Sequence, residues 1–317
     1  MGLFHKLRKK FKKQYFLLSQ RLLNYPKESE IFLEKHGYPL NLKDPRSFNE
    51  KIIWRKIYDR NPLFPIITDK LKVRDYIRER LGEEQAKELL IPLLFHCSDP
   101  ETIPFDDLPA QFVIKPSHAS AKIIIVRDKT EINWGEILAE CKNWLSKPYG
   151  FYDLEWAYQK LKPEILVEKL LLDEEGRIPM DYKFHVFHGK CKRIAVCSER
   201  FTGGRRVTAF DENWNYSDVV TNDPGGVYIP MPENFPSMLS LAEKLGGDFD
   251  YIRVDLYNIQ GRIFFGELTV YPTSGHGAYS PTEFDFELGA NWKLTPKTKK
   301  DPGKLMGSLI RRDDDGC

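Results

Sequence analysis

Hydrophobic residues recur every three or four positions through the N-terminal part of the chain, and this spacing predicts helices. Ser47 followed by Glu50 fits a capping box that opens a helix continuing to Tyr58. Thr68 is expected to cap a further helix, which ends near Gly82 because glycine commonly terminates helices. The N-terminal part of the chain is therefore predicted to be helical.

Beyond this part, the pattern changes to short runs of branched and aromatic residues separated by turn residues, which predicts strands. The predicted strands cover residues 112–115, 123–126, 165–169, 182–187, 193–196, 205–210, 251–257 and 262–268. Turns at residues 188–190 and 258–261 join two pairs of these runs into hairpins. Helices followed by antiparallel hairpins predict an α+β fold.

Residues 1–25 have the pattern of an amphipathic helix with a basic face, which carries six lysines and arginines between Lys6 and Lys13. The apolar face comprises Leu3, Phe4, Leu7, Phe11, Tyr15, Leu18 and Leu22. This pattern is typical of helices that lie on an anionic bilayer, and residues 1–20 would make that contact. The alternative is that the apolar face packs on the rest of the protein while the lysines face water.

The chain of 317 residues is 41% hydrophobic and 30% charged, which is ordinary for a soluble globular enzyme. A net charge of +2 provides no electrostatic field for nucleic acid, so no nucleic-acid partner is expected. No apolar stretch has the roughly 20 residues of a membrane span, and no secretion signal is expected. Five cysteines without a CxxC pair predict reduced thiols. We therefore expect a cytoplasmic protein, with any membrane contact peripheral and at the inner surface.

Two carboxylates are predicted on adjacent strands of the last hairpin. Asp255 and Glu267 each lie in apolar sequence, and a turn at residues 258–261 brings them within reach of each other. Two carboxylates in an apolar sheet repel unless a cation or a proton lies between them, and Mg²⁺ prefers such oxygen ligands. The alternative is that each side chain faces solvent on an alternating strand.

Three basic residues could bind anions near these carboxylates. Lys115 closes a strand before a proline, where its ammonium suits a phosphate oxygen or is simply solvated. Lys183 lies inside a strand and requires an anionic partner, since buried lysines are rare unless paired. Arg253 precedes Asp255 by two residues and shares its sheet face. The chain has no Walker A, GxGxxG, GxSxG or HExxH motif, so a nucleotide would need another scaffold.

Seven short motifs occur in an order and spacing that resemble a known family. They are Ser47–Lys51, Thr68–Arg74, Phe112–Pro116, Val167–Lys169, Asp181–Phe184, Arg253–Tyr257 and Gly266–Thr269. Over residues 30–295 the chain resembles the TupA-like branch of the ATP-grasp superfamily, which is associated with teichuronopeptide and other surface-polysaccharide biosynthesis.

The resemblance implies an ATP-grasp fold, in which two α+β lobes clasp the nucleotide after a helical N-terminal segment. The implied segments are a basic helix (1–25), a helical region (26–88), a small lobe (89–165), a large lobe with the metal site (166–295) and a flexible tail (296–317).

The resemblance also implies a role for each candidate site residue, with ATP and Mg²⁺ as cofactors. Lys183 would reach the γ-phosphate and Arg253 would steady the transferring phosphoryl group. Asp255 and Glu267 match the magnesium ligands. The residues matched to nucleotide binding are Lys70 and Lys115 for phosphate, Glu168, Lys169 and Leu171 for adenine, and Asp173 or Glu175 for ribose.

Two positions depart from the family pattern. The loop after Lys115 is usually glycine-rich, but residues 117–122 contain no glycine, which restricts close backbone approach to phosphate. Ser120 or Lys122 would then substitute for the missing glycines. Many members have asparagine two residues after the second carboxylate, where this chain has Thr269.

By this resemblance, the first hypothesis is a carboxylate–amine ligase that joins an amino acid or amine to a uronic-acid carboxyl. The acceptor would be a glycan or sugar acid, free or lipid-linked. One alternative is a sugar kinase that stops after phosphoryl transfer. The other is a catalytically weak, nucleotide-binding scaffold in a polysaccharide assembly complex.

Overall fold

The computed structural model describes residues 15–199, 203–221 and 224–295, which form helices and two antiparallel sheets. The helices are Pro26–His36, Phe48–Tyr58, Leu63–Thr68, Val73–Leu81, Glu83–Leu89, Trp134–Ser146, Phe235–Gly246 and Glu283–Ala290, with 3-10 turns at Pro100–Thr102, Tyr158–Lys160 and Pro272–Gly275. The strands are β1 (Leu93–Cys97), β2 (Phe112–Pro116), β3 (Ile124–Val126), β4 (Ile165–Lys169), β5 (Asp181–Phe187), β6 (Lys190–Ser198), β7 (Arg206–Phe210), β8 (Tyr216–Ser217), β9 (Tyr251–Ile259) and β10 (Arg262–Thr269). The α+β prediction is confirmed.

The predicted capping box opens the helix Phe48–Tyr58. The Ser47 hydroxyl accepts a hydrogen bond from the Glu50 amide at 3.1 Å, and the Glu50 carboxylate accepts one from the Ser47 amide at 2.9 Å. These bonds satisfy amides that the first helical turn would otherwise leave unpaired.

The predicted cap at Thr68 is wrong. Thr68 is the last residue of the helix Leu63–Thr68, and its hydroxyl donates to the Phe64 carbonyl at 2.7 Å. The Asp69 carboxylate instead accepts from the Leu71 amide at 2.9 Å, before the next helix begins at Val73. A threonine hydroxyl can donate to the carbonyl of the preceding helical turn as readily as it can cap the next helix. The position of Thr68 in the sequence therefore does not show which of the two bonds it makes.

The smaller sheet has the order β1-β4-β2-β3, and every pair is antiparallel. The helix Trp134–Ser146 packs on one face through Ile137, Cys141 and Trp144, against Phe112 and Val167 of the sheet. Lys115 lies at the end of β2, at the edge of this packed layer.

The larger sheet has the order β10-β9-β5-β6-β7-β8 and contains both predicted hairpins, which turn at His188-Gly189 and Gln260-Gly261. One face packs against the helix Phe235–Gly246 through apolar residues such as Phe184 and Leu256. The residues that alternate with them on β5 and β9 are mostly polar, and together with Arg193 on β6 they form the polar face of this sheet.

A β-bulge at Gly266 sets the register between β9 and β10. Phe265 pairs with Leu256, but the next pair is Glu267 with Asp255, which leaves Gly266 as the extra residue. An unbroken ladder would pair Glu267 with Val254 and turn its side chain toward the core. A Cβ atom at position 266 would lie 3.0 Å from the Asp255 carbonyl oxygen, so the close approach at the bulge favours glycine.

The chain that precedes Pro26 does not follow the predicted apolar stripe. Residues 15–22 are helical, but Tyr15, Leu18 and Leu22 are 75%, 56% and 75% exposed. Phe16 and Leu17 pack on the body of the protein instead. These three residues of the predicted apolar stripe therefore do not pack on the rest of the protein. The basic segment Lys6–Lys13 and the predicted tail 296–317 lie outside the described residues. None of the helices in the described ranges is long and apolar enough to cross a membrane.

The turn that follows β10 is held by buried polar groups. Thr273 and Ser274 both have positive φ, at 47° and 57°, a conformation that costs a non-glycine residue roughly 1–2 kcal/mol. Lys56 Nζ donates to Ser274 Oγ at 3.0 Å and to Glu28 Oε1 at 2.6 Å, and the Glu155 carboxyl group also bonds Ser274. These contacts hold the strained turn in place.

Burial raises the pKa of Glu155 to about 7, although Lys56 and Ser274 oppose the shift. The fold therefore favours the protonated acid, whereas the unfolded chain ionises near its ordinary value. Since the unfolded state loses its proton first as pH rises, this group lowers stability progressively between about pH 4.5 and pH 7.

We predict that Glu155→Gln, which mimics the neutral acid, gains stability relative to the wild type as pH rises from 5 to 8. The relative gain approaches about 3 kcal/mol at most. Chemical denaturation of both proteins across this range measures the difference, and Glu88→Gln, at an exposed glutamate, is the matched control. A wild-type-to-variant difference that stays constant with pH would contradict the assignment.

Candidate active site

A cavity of about 140 Å³ lies between the two sheets. Its walls include charged side chains of both signs and a set of apolar residues from the smaller sheet and the segment after β4. The charged residues among them include Lys70, Lys115, Glu168, Asp181, Asp255 and Glu267. Nine of the predicted site residues are thus brought to one cavity from four separate parts of the sequence: Lys70, Lys115, Ser120, Lys122, Glu168, Lys169, Leu171, Asp255 and Glu267.

Two lysines form the basic side of the cavity. Lys115 Nζ lies 2.5 Å from the Glu168 carboxylate, which is buried and also lies 3.7 Å from Arg74. Lys70 Nζ donates to the Ala119 carbonyl at 2.5 Å, and this bond ties the helical region to the loop after β2. Burial, together with the neighbouring Lys115, lowers the pKa of Lys70 to about 8. Both ammonium groups therefore sit where an anion would be favourable.

The glycine-free loop 117–122 follows β2. Ala121 has φ of +55°, a left-handed conformation that glycine adopts without strain and alanine does not. Ser120 and Lys122 both line the cavity, and the Ser120 side chain bonds Tyr149. The loop thus presents side chains to the cavity at a turn where a glycine would present backbone.

The apolar wall of the cavity is built by two segments. Val113, Ile123 and Ile125 come from β2 and β3, and Leu171 and Ile178 come from the chain after β4. Lys169 also lines the cavity, but its amide donates to the Pro92 carbonyl at 3.0 Å. The Glu168 side chain turns toward the lysines. This lining suits a largely apolar group with a few polar edges.

The predicted ribose ligands lie elsewhere. Neither Asp173 nor Glu175 is among the described residues that line the cavity. The Asp173 carboxylate accepts from the Glu175 amide at 3.1 Å and from the Arg177 amide at 2.8 Å, and Glu175 pairs with the Arg177 guanidinium at 2.8 Å. The structure therefore uses both carboxylates to close the turn 173–177.

The acidic side of the cavity lies on the polar face of the larger sheet. Lys183, Asp255 and Glu267 occupy neighbouring positions across β5, β9 and β10. Lys183 Nζ donates to Asp255 at 2.6 Å, and Arg253 donates to both Asp255 oxygens at 2.6 and 2.7 Å. Arg253 also reaches Glu267 at 3.0 Å. The two predicted carboxylates thus share one guanidinium.

Thr269 closes this network. Its hydroxyl accepts from Arg253 at 2.9 Å and donates to Glu267 at 2.9 Å, which fixes the Glu267 carboxylate against Arg253. The position that departs from the family pattern therefore orients a neighbouring acid through one hydroxyl group.

The cations keep both acids ionised. Burial opposes ionisation of Asp255, but Arg253 and Lys183 lower its pKa below the ordinary value. Burial and the Asp255 charge likewise oppose ionisation of Glu267, while Arg253, Lys183 and Lys70 lower its pKa. Although burial works against the guanidinium, Asp255 and Glu267 raise the pKa of Arg253. A pair of ionised carboxylates beside a cavity is the donor set that a hard divalent cation prefers.

Sequence reasoning missed two features of this side. Asp181 lines the cavity and contacts Lys183, and Tyr257 also lines it. Asp181 pairs with Tyr257 across β5 and β9, so the alternation that singled out Lys183 could have found both.

Across residues 15–199, 203–221 and 224–295, no group of three or more histidine, cysteine, aspartate or glutamate side chains is arranged to hold a metal ion. The paired Asp255 and Glu267 remain the candidate ligands.

Comparisons with known proteins identify a family for this arrangement. A family model described as TupA-like ATPgrasp matches residues 50–293. A comparison with curated protein sequences found no match.

Several solved structures have a weak likeness to the chain. A D-alanine–D-alanine ligase from Bacillus anthracis is 16% identical, with 79% of this chain and 69% of that chain covered and a TM-score of 0.40. The same enzyme from Helicobacter pylori is 12% identical, with 80% and 68% covered and a TM-score of 0.42. ATP-grasp ligase PsnB, complexed with a minimal precursor, Mg and ADP, is 12% identical, with 77% and 66% covered and a TM-score of 0.36. The family match therefore comes from the model that covers residues 50–293.

Proposed function

The chain belongs to the TupA-like ATP-grasp family, and we propose that it is a MgATP-dependent carboxylate–amine ligase that joins an amino acid or amine to a uronic-acid carboxyl in surface-polysaccharide biosynthesis. The observation that carries this proposal is the cavity between the sheets, where Lys70 and Lys115 line the same space as Asp255 and Glu267. Cations for phosphate and carboxylates for a metal are the two components that phosphoryl transfer requires.

The phosphates of ATP occupy the basic side in this proposal. Lys115 exchanges its contact with Glu168 for a phosphate oxygen, and Lys70 contributes a second charge-assisted hydrogen bond. Ser120 and Lys122 face the same phosphates from the loop. The apolar wall that includes Lys169 and Leu171 receives the adenine ring.

Asp255 and Glu267 would hold Mg²⁺, and Thr269 keeps Glu267 oriented toward it. When bound, Mg²⁺ neutralises charge on the phosphate oxygens and on the transferring group. Lys183 and Arg253 lie against Asp255, so their cationic groups are placed to bind the transferring phosphoryl group in line with its acceptor. Preorganised charge of this kind is the main contribution that a protein makes to phosphoryl transfer.

In the proposed reaction, a carboxylate oxygen of the sugar acid attacks the γ-phosphorus, and the bond from that phosphorus to the bridging oxygen of ADP breaks. The amine then attacks the acyl phosphate carbon, phosphate leaves with the bonding electrons, and the amine loses a proton. The products are an amide, ADP and phosphate. Arg253 and Lys183 would stabilise the negative charge in the first step.

Two alternatives use the same residues. A phosphotransferase would deliver the γ-phosphate to a sugar hydroxyl and stop there. A weak or inactive scaffold is supported by one observation, the strained Ala121 in the loop that would cover the phosphates. Identification of the products separates all three.

We predict that incubation with MgATP, glucuronic acid and an amino acid yields ADP and an amide, which mass spectrometry identifies. Asp255→Asn and Glu267→Gln should each lower turnover by orders of magnitude with the fold intact, since each removes a charged metal ligand. Glu243→Gln, at an acid that pairs with Lys190 and is not among the residues that line the cavity, is the matched control. Full activity in either acid variant would refute the metal assignment. ADP with a phosphosugar would indicate the kinase, and nucleotide binding without turnover would indicate the scaffold.

We also propose that the N-terminus holds the enzyme at the inner surface of the membrane, where lipid-linked glycan precursors would be accessible. Tyr15, Leu18 and Leu22 are exposed on one side of the helical residues 15–22, while Phe16 packs against Tyr152, with 5.4 Å between ring centroids. The sequence before them carries the six basic residues between Lys6 and Lys13. Exposed apolar side chains beside a basic segment suit an anionic bilayer surface.

The full-length protein should co-sediment with vesicles that contain phosphatidylglycerol at low salt and dissociate at high salt, because salt screens the lysines. Each basic residue near the surface contributes about 1 kcal/mol. A variant with glutamine at the six basic positions should lose binding and retain the nucleotide site. Co-sedimentation that is indifferent to salt and to these substitutions would contradict the proposal.

A further inference from the structure

One row of residues on the polar face of the larger sheet begins beside the proposed metal site, and the far end of this row has no role in that site. Arg193, His185, Arg253 and Thr269 pair in sequence across β6, β5, β9 and β10. The neighbouring row contains Lys183, Asp255 and Glu267. The row thus begins at the metal site with Thr269 and Arg253 and extends away from it to Arg193.

Arg193 is buried without a counter-charge. It is 2% exposed, its Nη1 has no hydrogen-bond partner, and no carboxylate in the described part of the chain forms an ion pair with it. Its guanidinium instead lies over two aromatic rings, 5.3 Å from the Tyr279 centroid and 5.0 Å from that of Phe284. A buried charge is costly unless it is paired, so a guanidinium without a counter-charge among the described residues is suited to bind an anion.

Two other arginines, the buried Arg55 and the half-buried Arg253, behave differently. Arg55 contacts Asp250 and lies 3.7 Å from Asp59, and its guanidinium stacks on Trp292. Arg253 is paired with Asp255 and Glu267. Both have the carboxylates that a structural arginine requires, whereas within the described part of the chain Arg193 contacts the aromatic rings of Tyr279 and Phe284 and pairs with no carboxylate.

His185, between the two arginines, does not supply the missing charge. Burial, followed by the charges of Arg193, Arg253 and Lys183, lowers the pKa of His185 well below its ordinary value, so the ring is neutral. Its Nδ1 lies 3.1 Å from the Tyr251 hydroxyl. Among the described residues, therefore, none compensates the positive charge at the Arg193 end of the row.

We propose that Arg193 binds a second anionic group of the acceptor, a carboxylate or a phosphate, while the reacting carboxyl lies at Arg253 and Asp255. Two strand spacings, about 10 Å, separate the backbones of Arg193 and Arg253, so each guanidinium can hold a different anion of the same acceptor. Two anionic groups occur in neighbouring acidic sugars and in a sugar acid with a phosphate, and not in one isolated sugar acid. The acceptor is thus an acidic glycan or a phosphorylated sugar acid, a specificity that rests on the proposed ligase function.

Tyr279 covers this site. It belongs to the segment between the turn Pro272–Gly275 and the helix Glu283–Ala290, and it is partly exposed while Arg193 beneath it is not. The neighbouring Ser280 and Pro281 are exposed, so the segment lies at the surface. Movement of the Tyr279 ring uncovers the guanidinium for the acceptor.

The test compares binding of digalacturonic acid, glucuronic acid 1-phosphate and glucuronic acid to the full chain with MgADP, by isothermal titration calorimetry. The wild type should bind at least one of the first two probes at least about tenfold more tightly than glucuronic acid, since a charged hydrogen bond is added. Arg193→Gln should reduce this ratio to near one. Lys192→Gln, one residue away and paired with Glu212 on the exposed face, should preserve it.

The proposal would be overturned if the wild type bound glucuronic acid as tightly as it binds both probes with two anionic groups. It would also be overturned if Arg193→Gln left the ratio of these affinities unchanged. The phosphate-bearing probe and the two-carboxylate probe distinguish the two anion types. If Arg193→Gln does not fold, Tyr279→Ala provides the test, because uncovering the guanidinium should tighten binding of a two-anion probe and no change would overturn the proposal. Binding requires no turnover, so failure of the ligase function, seen as absent amide, is a separate result.

Discussion

The extra residue at Gly266 determines which side chains share the polar face of the larger sheet. The bulge turns Glu267 from the core side to the side of Asp255, where both carboxylates meet Arg253. Without it, Glu267 would be driven into the apolar layer beneath the sheet, at a cost of several kcal/mol for an unpaired buried charge. The proposed metal site, the orientation of Thr269 and the placement of Arg253 all depend on that one register shift.

The molecule tolerates many buried charges because nearly all of them are paired. Lys183 and Arg253 compensate Asp255, Lys115 compensates Glu168, and Lys56 compensates Glu28. The pairs at the cavity are also the ones that a nucleotide and a metal would exchange for their own charges, so the same ionic contacts that stabilise the unliganded protein prepare it for ligands. Arg193, which has no carboxylate partner among the described residues, departs from this rule, and an anionic ligand is proposed for it on that ground.

The helices and strands that build this site could be predicted from the sequence, whereas much of the three-dimensional arrangement of its side chains could not. Alternating and helical patterns located the hairpins, the capping box at Ser47 and the strand positions of Lys183 and Arg253, because these depend on local interactions. The contact of Lys70 with the loop after β2 joins residues 49 positions apart and has no local signal. The sequence also gave no sign that Asp255 and Glu267 lie on the same face of the sheet. In a regular hairpin without a bulge, the two side chains would point to opposite faces.

Side-chain competition explains the remaining differences. Thr68 bonds backward into its own helix, and Asp173 and Glu175 are drawn to Arg177, where the family pattern alone would place them at the ribose. The predicted apolar stripe is exposed at Tyr15, Leu18 and Leu22 because Phe16 and Leu17 make the contact with the body. The partners of Thr68, Asp173 and Glu175 lie within four residues in the sequence, whereas the exposure of the stripe follows from a tertiary contact.

The claim that phosphates bind between the two sheets is tested most directly by the affinity of a non-hydrolysable ATP analogue with Mg²⁺. Calorimetry should show that Lys115→Ala binds roughly 10- to 100-fold more weakly than the wild type, since a charge-assisted hydrogen bond is lost. Lys147→Ala, at an exposed lysine beyond the helix Trp134–Ser146, should bind as the wild type does. Equal affinity of the Lys115→Ala variant and the wild type would contradict the claim, because it would show that Lys115 does no more than pair with Glu168.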